Sequence, residues 1–189
     1  MIWVTREFVH VDRVACPWLI KRFIDKKAQF VFLPPEEISD FVSKTGATPF
    51  DTGAKIGLEH HVCDSEIHCS FDAIVEQYQL EGNEALQCLR KIVRAADTNR
   101  INEEPLAWAL ETIALGMPLL VESDHEVLEK EFPLYDALYT YFQREIIREK
   151  FKNEFNQLQT RAEKQIFLRQ KIKGLSRSRG EFNEMSHSR

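Results

Sequence analysis

The spacing of apolar residues changes along this chain, and that change limits what it can fold into. Up to about residue 82 the apolar runs are short and cut by turn residues. From Asn83 onward apolar residues recur at helical spacing almost without a break. Residues 2–5 (IWVT) and 28–33 (AQFVFL) are β-branched and aromatic and predict strands, the second stopped by Pro34 and Pro35. Between them, Val14, Trp18, Leu19, Phe23 and Ile24 predict a helix over 14–24, with Pro17 accommodated in its first turn. Pro35 opens a helix that Gly46 closes. Ser70 is the expected cap of a helix beginning at Phe71. Further helices are expected over 84–96, over 105–115 and from Ser123 or Asp124, the last interrupted at Pro133. The expectation is an α+β chain, predominantly α-helical, with a small N-terminal sheet.

Charge divides the chain further. The formal charge is −5, yet residues 144–179 carry eleven Lys/Arg against four Asp/Glu. An acidic body over 1–143 is therefore expected to carry a basic amphipathic helical extension over 144–175. Residues 176–189 (SRSRGEFNEMSHSR) have little to bury and are expected to be a disordered tail. The apolar stripe from Ile146 to Phe167 could pack on its own chain or on a second copy, as in a homodimer. The basic arm could attach to an anionic partner, nucleic acid included, although a pI near 5.7 speaks against a dedicated nucleic-acid-binding domain. No run of about 18 apolar residues exists and the N-terminus lacks a hydrophobic signal core, so no membrane segment is expected and the expected location is cytoplasmic. The four cysteines, Cys16, Cys63, Cys69 and Cys88, are too few for a disulfide framework.

The densest concentration of metal-binding side chains is EHHVCDSEIHCSFD, residues 59–72. His60, His61, Cys63, Asp64, Glu66, His68 and Cys69 can each bind a first-row transition metal. The Cys63–Cys69 spacing does not match a zinc knuckle. In an extended segment His60 faces one way and His61 and Cys63 the other, so only two or three of these side chains can converge. The remaining ligands must come from elsewhere. His125 and Glu129 lie four apart on one helix face, and Asp97 in AADTNR is a carboxylate at a helix end. The plainer alternative makes Glu129 a surface ion-pair partner and His125 a partly exposed helix residue.

The segment TREFVHVDRVACPWLIKRFID offers other chemistry. Arg6, Arg13, Lys21 and Arg22 surround a strand-to-helix connection, where the free N–H groups of a helix N-terminus and nearby guanidinium groups could hold an oxyanion. Alternatively, Asp12 caps that helix and pairs with Arg13. Cys16 is expected to be buried rather than reactive. There is no phosphate-binding glycine loop, no G-x-S-x-G elbow and no H-E-x-x-H helix.

The run WVTREFVHVDRVACPWLIKRFID, followed in order by FLPPEE, TGATPFD, HCSFDAIVEQY, RAADTNR, DHEVLE and LYDALY, closely resembles the C-terminal domain of chromate resistance protein B, over about residues 3–142. The resemblance implies association with chromate resistance, a stress response in which full-length members act as chromate-responsive regulators. It matches the family's basic start to Arg6, Arg13, Lys21 and Arg22, its histidine to His60 or His61, and its later polar positions to Asp97, Asp124 and His125. A preceding regulatory region is not expected, since the chain starts at the domain. Taken with the resemblance, His60, Asp97, His125 and Glu129 are expected to share a divalent transition metal (Zn, Fe, Mn or Ni), and Arg6, Arg13 and Arg22 to bind a small oxyanion. The functional expectation is an oxyanion-responsive or metal-binding module, accessory or regulatory in role. The alternative is a metal-dependent enzyme acting on a small molecule.

Overall fold

The computed structural model describes residues 1–186, with side chains to residue 175. The expected disordered tail, 176–189, lies outside the residues described in full. The chain divides into two compact units, Met1–Asp136 and the residues from Ala137 on. The expected boundary at 143/144 falls within a helix that runs from Asp124 to Lys150.

The first unit opens with alternating strands and helices: β1 (Ile2–Arg6), α1 (Val11–Leu19, extended by a π-helical turn over Ile20–Ile24), β2 (Gln29–Leu33), α2 (Pro35–Thr45) and β3 (Thr48–Pro49). The sheet is parallel, in the order β2-β1-β3, with Ile2 opposite Gln29, Arg6 opposite Leu33 and Trp3 opposite Thr48. Parallel neighbours need crossovers, which α1 and α2 supply, and such sheets are covered on both faces. Period-two alternation in β1 accounts for this. Val4 packs with Ile38 and Ala47 on the α2 side. On the opposite side Trp3 meets Phe50 and Tyr78.

The antiparallel hairpin β4 (His61–Cys63) and β5 (Glu66–His68) follows. Asp64 and Ser65 join its strands with positive φ at both, as a type I′ turn requires. Then come α3 (Ser70–Gln77), α4 (Glu84–Asp97), α5 (Pro105–Gly116) and α6 (Asp124–Lys150). Helix α1 packs against α3, α4 and α5, with Val14, Ala15, Cys16, Trp18 and Leu19 fully buried. The chain is thus predominantly α-helical with a small N-terminal sheet, as the sequence predicts.

Several local expectations shift. Helix α1 starts at Val11 rather than residue 14, which puts Pro17 in its interior. Helix α6 runs through Pro133 without interruption. In both cases burial of nearby apolar side chains (Trp18 and Leu19 in α1, Leu128 and Tyr135 in α6) outweighs the hydrogen bond that proline removes. The N-cap of α3 is Cys69, one residue before Ser70, because Asp72 reaches back to the Cys69 N–H at 2.8 Å.

In the second unit, α6 is followed by α7 (Lys152–Gln157) and α8 (Arg161–Ser186) in place of one long helix. Much of the expected apolar stripe closes on itself: Ile147, Phe155 and Leu168 are buried with Phe151, Leu158 and Phe167 around them. Part of its basic charge is met locally, Arg148 by Glu145 and Lys171 by Glu154.

Candidate metal centre

Strand β1 ends at Arg6, and the chain turns into α1, whose second residue is Asp12. Strand β3 ends at Pro49, and Asp51 follows it with φ of +43°. The order β2-β1-β3 makes β1 and β3 neighbours, so the segments that leave their carboxyl ends start side by side. Asp12, Asp51, His60 and Asp97 meet here.

Asp12 is fully buried. Its Oδ2 accepts the Ser70 N–H at 2.7 Å and its Oδ1 accepts the Phe71 N–H at 3.1 Å, so it caps α3 rather than its own helix. Asp97, the last residue of α4, accepts the Asp12 N–H at 3.4 Å. His60, on the approach to β4, places Nε2 2.9 Å from Asp97 Oδ2, 3.6 Å from Asp12 Oδ2 and 3.9 Å from Asp51 Oδ1. One ligand atom from each of Asp12, His60 and Asp97 lies within 4.8 Å of the other two. The His60 side chain is 37 % exposed and that of Asp97 12 %, so the cluster opens to solvent on the histidine side.

The electrostatics are those of crowded carboxylates. Burial, and next the charge on Asp12, push the Asp97 carboxyl up to about 7. The carboxylates of Asp12 and Asp97 push the His60 imidazole up to about 10 against the opposing effect of burial. Asp51 is also raised, by burial and by Asp12, although Arg13 and Arg6 pull it down. Arg6 donates from Nη2 to Asp51 Oδ1 and Arg13 from Nη1 to Asp51 Oδ2, both at 2.8 Å. Both guanidinium groups therefore neutralise Asp51, which leaves Asp12 and Asp97 facing one imidazole. A dication there would be balanced by the two carboxylates and would displace the proton from His60.

The expected site residues separate in space. His60 and Asp97 meet. His125 and Glu129, exposed on α6, lie outside the cluster. His125 stands edge-on to Phe32, with ring centroids 5.0 Å apart, and lines a groove of about 490 Å³ with Phe8 and Val121. Its neighbour Asp124 accepts the N–H groups of Phe8 and Val9, both at 2.9 Å. Arg6 and Arg13 share one partner, whereas Arg22 leaves them. It clasps Asp136 with Nε at 2.8 Å and Nη2 at 2.7 Å, and Trp18 Nε1 joins that carboxylate at 2.8 Å. Cys16 is buried, donates to Asp12 Oδ1 at 3.4 Å, and has its thiol pushed well up by burial.

Sequence reasoning missed Asp12 and Asp51 as members of this cluster. Asp12 was legible only as a cap for its own helix, since its partners Ser70 and Phe71 are 58 and 59 residues away. It also missed that His61 belongs to a separate group with His68 and Glu76, although strand alternation already sends His60 and His61 in opposite directions.

Fold and site together define a small domain in which carboxylates and a histidine gather beside the carboxyl ends of a parallel three-stranded sheet. The chain belongs to the family described as ChrB, C-terminal domain, which it matches over residues 3–142. It is similar to Protein ChrB of Cupriavidus metallidurans, with 31 % identity over 142 residues, covering 74 % of this chain and 40 % of that protein. The chain thus matches about two fifths of the length of its curated relative. No solved structure matches it.

Proposed function

We propose that this protein is a metal-binding module associated with chromate resistance, in which Asp12, His60 and Asp97 hold a divalent transition ion such as Zn, Fe, Mn or Ni. The observation that carries the reading is the convergence of one imidazole, one buried carboxylate and one partly buried carboxylate, from three separate segments, within 4.8 Å of one another. Mixed nitrogen and oxygen donors suit these ions, and three protein ligands leave coordination positions open. The family supports the chromate association.

A small oxyanion fits this reading as a ligand of the bound ion rather than of free arginines. Arg6 and Arg13 are engaged with Asp51. Chromate or sulfate should therefore raise the melting temperature of the metal-loaded protein and leave the chelated protein unchanged.

The test of the centre is elemental analysis of protein purified without a histidine tag, beside Asp97→Asn and His60→Ala. The expected result is close to one equivalent at this site in the parent chain and its loss in both variants. Less than a tenth of an equivalent of any transition metal, with melting unchanged by chelation, overturns the proposal.

A further inference from the structure

The β4–β5 hairpin has little to hold it in place by apolar burial. Two-stranded hairpins are marginal alone, and of its central pair Val62 is 74 % and Ile67 46 % exposed. The opposite face carries His61 and His68, directly paired in the register, with ring centroids 5.1 Å apart. Both imidazoles turn to Glu76 of α3. His61 Nε2 lies 3.1 Å from Glu76 Oε2 and His68 Nδ1 lies 3.3 Å from Glu76 Oε1.

We propose that His61, His68 and Glu76 form a second metal site, for a zinc-like dication, that fastens the hairpin to α3. Ligands at about 2.0–2.1 Å around zinc stand about 3.3 Å apart, and one donor atom from each of His61, His68 and Glu76 lies within 4.8 Å of the other two, close enough for a small adjustment to seat an ion. His61 Nδ1 faces the Glu59 carbonyl at 3.4 Å, a contact that keeps the proton on Nδ1 and leaves the Nε2 lone pair for the ion. Arg90 is shared between Asp72 and Oε1 of Glu76, which leaves Oε2 as the carboxylate oxygen for an ion. Two histidines and one glutamate form a familiar zinc donor set, with the fourth position left to solvent. The site is independent of the Asp12–His60–Asp97 centre, since the two share no side chain. Its occupation would nevertheless fix the strand next to His60.

The test is backbone amide exchange of residues 61–68 in the full chain, with and without added zinc, in the parent protein and in His60→Ala, His61→Gln and His68→Gln. Zinc should slow exchange at least tenfold in the parent and equally in His60→Ala, which lacks the first centre. It should have no effect in His61→Gln or His68→Gln. His61 is about one-third exposed, so its replacement leaves the core intact even if the more buried His68 variant does not fold. The proposal is overturned if zinc leaves the parent hairpin unprotected, if protection survives in His61→Gln, or if His60→Ala abolishes it. Failure of the first centre alone would appear instead as unchanged zinc binding in His60→Ala with the hairpin response retained.

Discussion

His60 and His61 are consecutive, yet their Nε2 atoms serve different carboxylates: His60 lies 2.9 Å from Asp97 and His61 lies 3.1 Å from Glu76. Alternation of side chains entering an extended segment produces the split. The chain thereby turns one histidine pair into a link between two clusters, one on each side of β4.

Asp12 ties the site to α3, and this has a measurable consequence. Asp12→Ala removes the acceptor for the Ser70 and Phe71 N–H groups at a buried helix start. The expected cost is about 2 kcal/mol, seen as a lower urea midpoint with unchanged slope. Asp12→Asn keeps one acceptor oxygen and should lose less. An alanine variant as stable as the parent would mean that this cap contributes nothing.

Asp72 gives a pH-dependent prediction. It is fully buried between Arg90 and Arg94, the latter donating from Nε and Nη2 at 2.8 Å. Burial pushes its carboxyl up, but the hydrogen bonds from Arg94 and Arg90 outweigh burial and hold it below the ordinary value. A carboxyl lowered in the folded state contributes its stability above the unfolded value of about 3.9 and loses it as pH falls through the folded one. Asp72→Asn should therefore destabilise by about 3 kcal/mol near neutral pH. The gap to the parent should narrow in urea melts below pH 4. A gap constant from pH 7 to pH 3 would contradict this account.

How much of this was legible in the sequence depends on how far each determinant reaches. Gly46 ends α2 in the left-handed region, with φ of +69°, as an isolated glycine after a periodic run predicts. The opposite facing of His60 and His61 was also readable, because alternation is local. Asp12 and Asp51 were not, since each is defined by partners more than thirty residues away: Ser70 for the one, Arg6 and Arg13 for the other. His125 and Glu129 show the converse limit. Their spacing places them on one helix, but a local spacing carries no information about what that helix faces, and here His125 meets Phe32. Pro17 and Pro133 mislead for a related reason, because burial of their neighbours outweighs the local rule.

Gly57 constrains the loop between β3 and His60. Its φ is +82°, and a Cβ there would stand 2.1 Å from the Pro49 carbonyl oxygen. Gly46 also has positive φ, but nothing lies within 4 Å of its Cβ position. Gly46→Ala should cost about 1 kcal/mol from backbone conformation alone. Gly57→Ala adds a backbone clash of about 1–3 kcal/mol to that strain. It should also loosen the Asp51–Leu58 hydrogen bond that closes the loop. Equal melting temperatures for the two variants would show that the loop yields around Pro49 without cost.

Glu131 supplies the opposite pH dependence. It is fully buried on α6, and its Oε1 has no hydrogen-bond partner. Burial pushes its carboxyl from about 4.5 up to about 7. The folded protein therefore holds this proton more tightly than the unfolded chain does. The resulting stability is complete below the unfolded value and is lost as pH rises through about 7. Glu131→Gln mimics the protonated acid at every pH. It should match the parent near pH 4 and exceed it at pH 8 by on the order of 3 kcal/mol. Urea melts across that range decide the matter: parallel pH profiles for parent and variant would place the Glu131 carboxylate in contact with water or a cation, and the burial argument would fail.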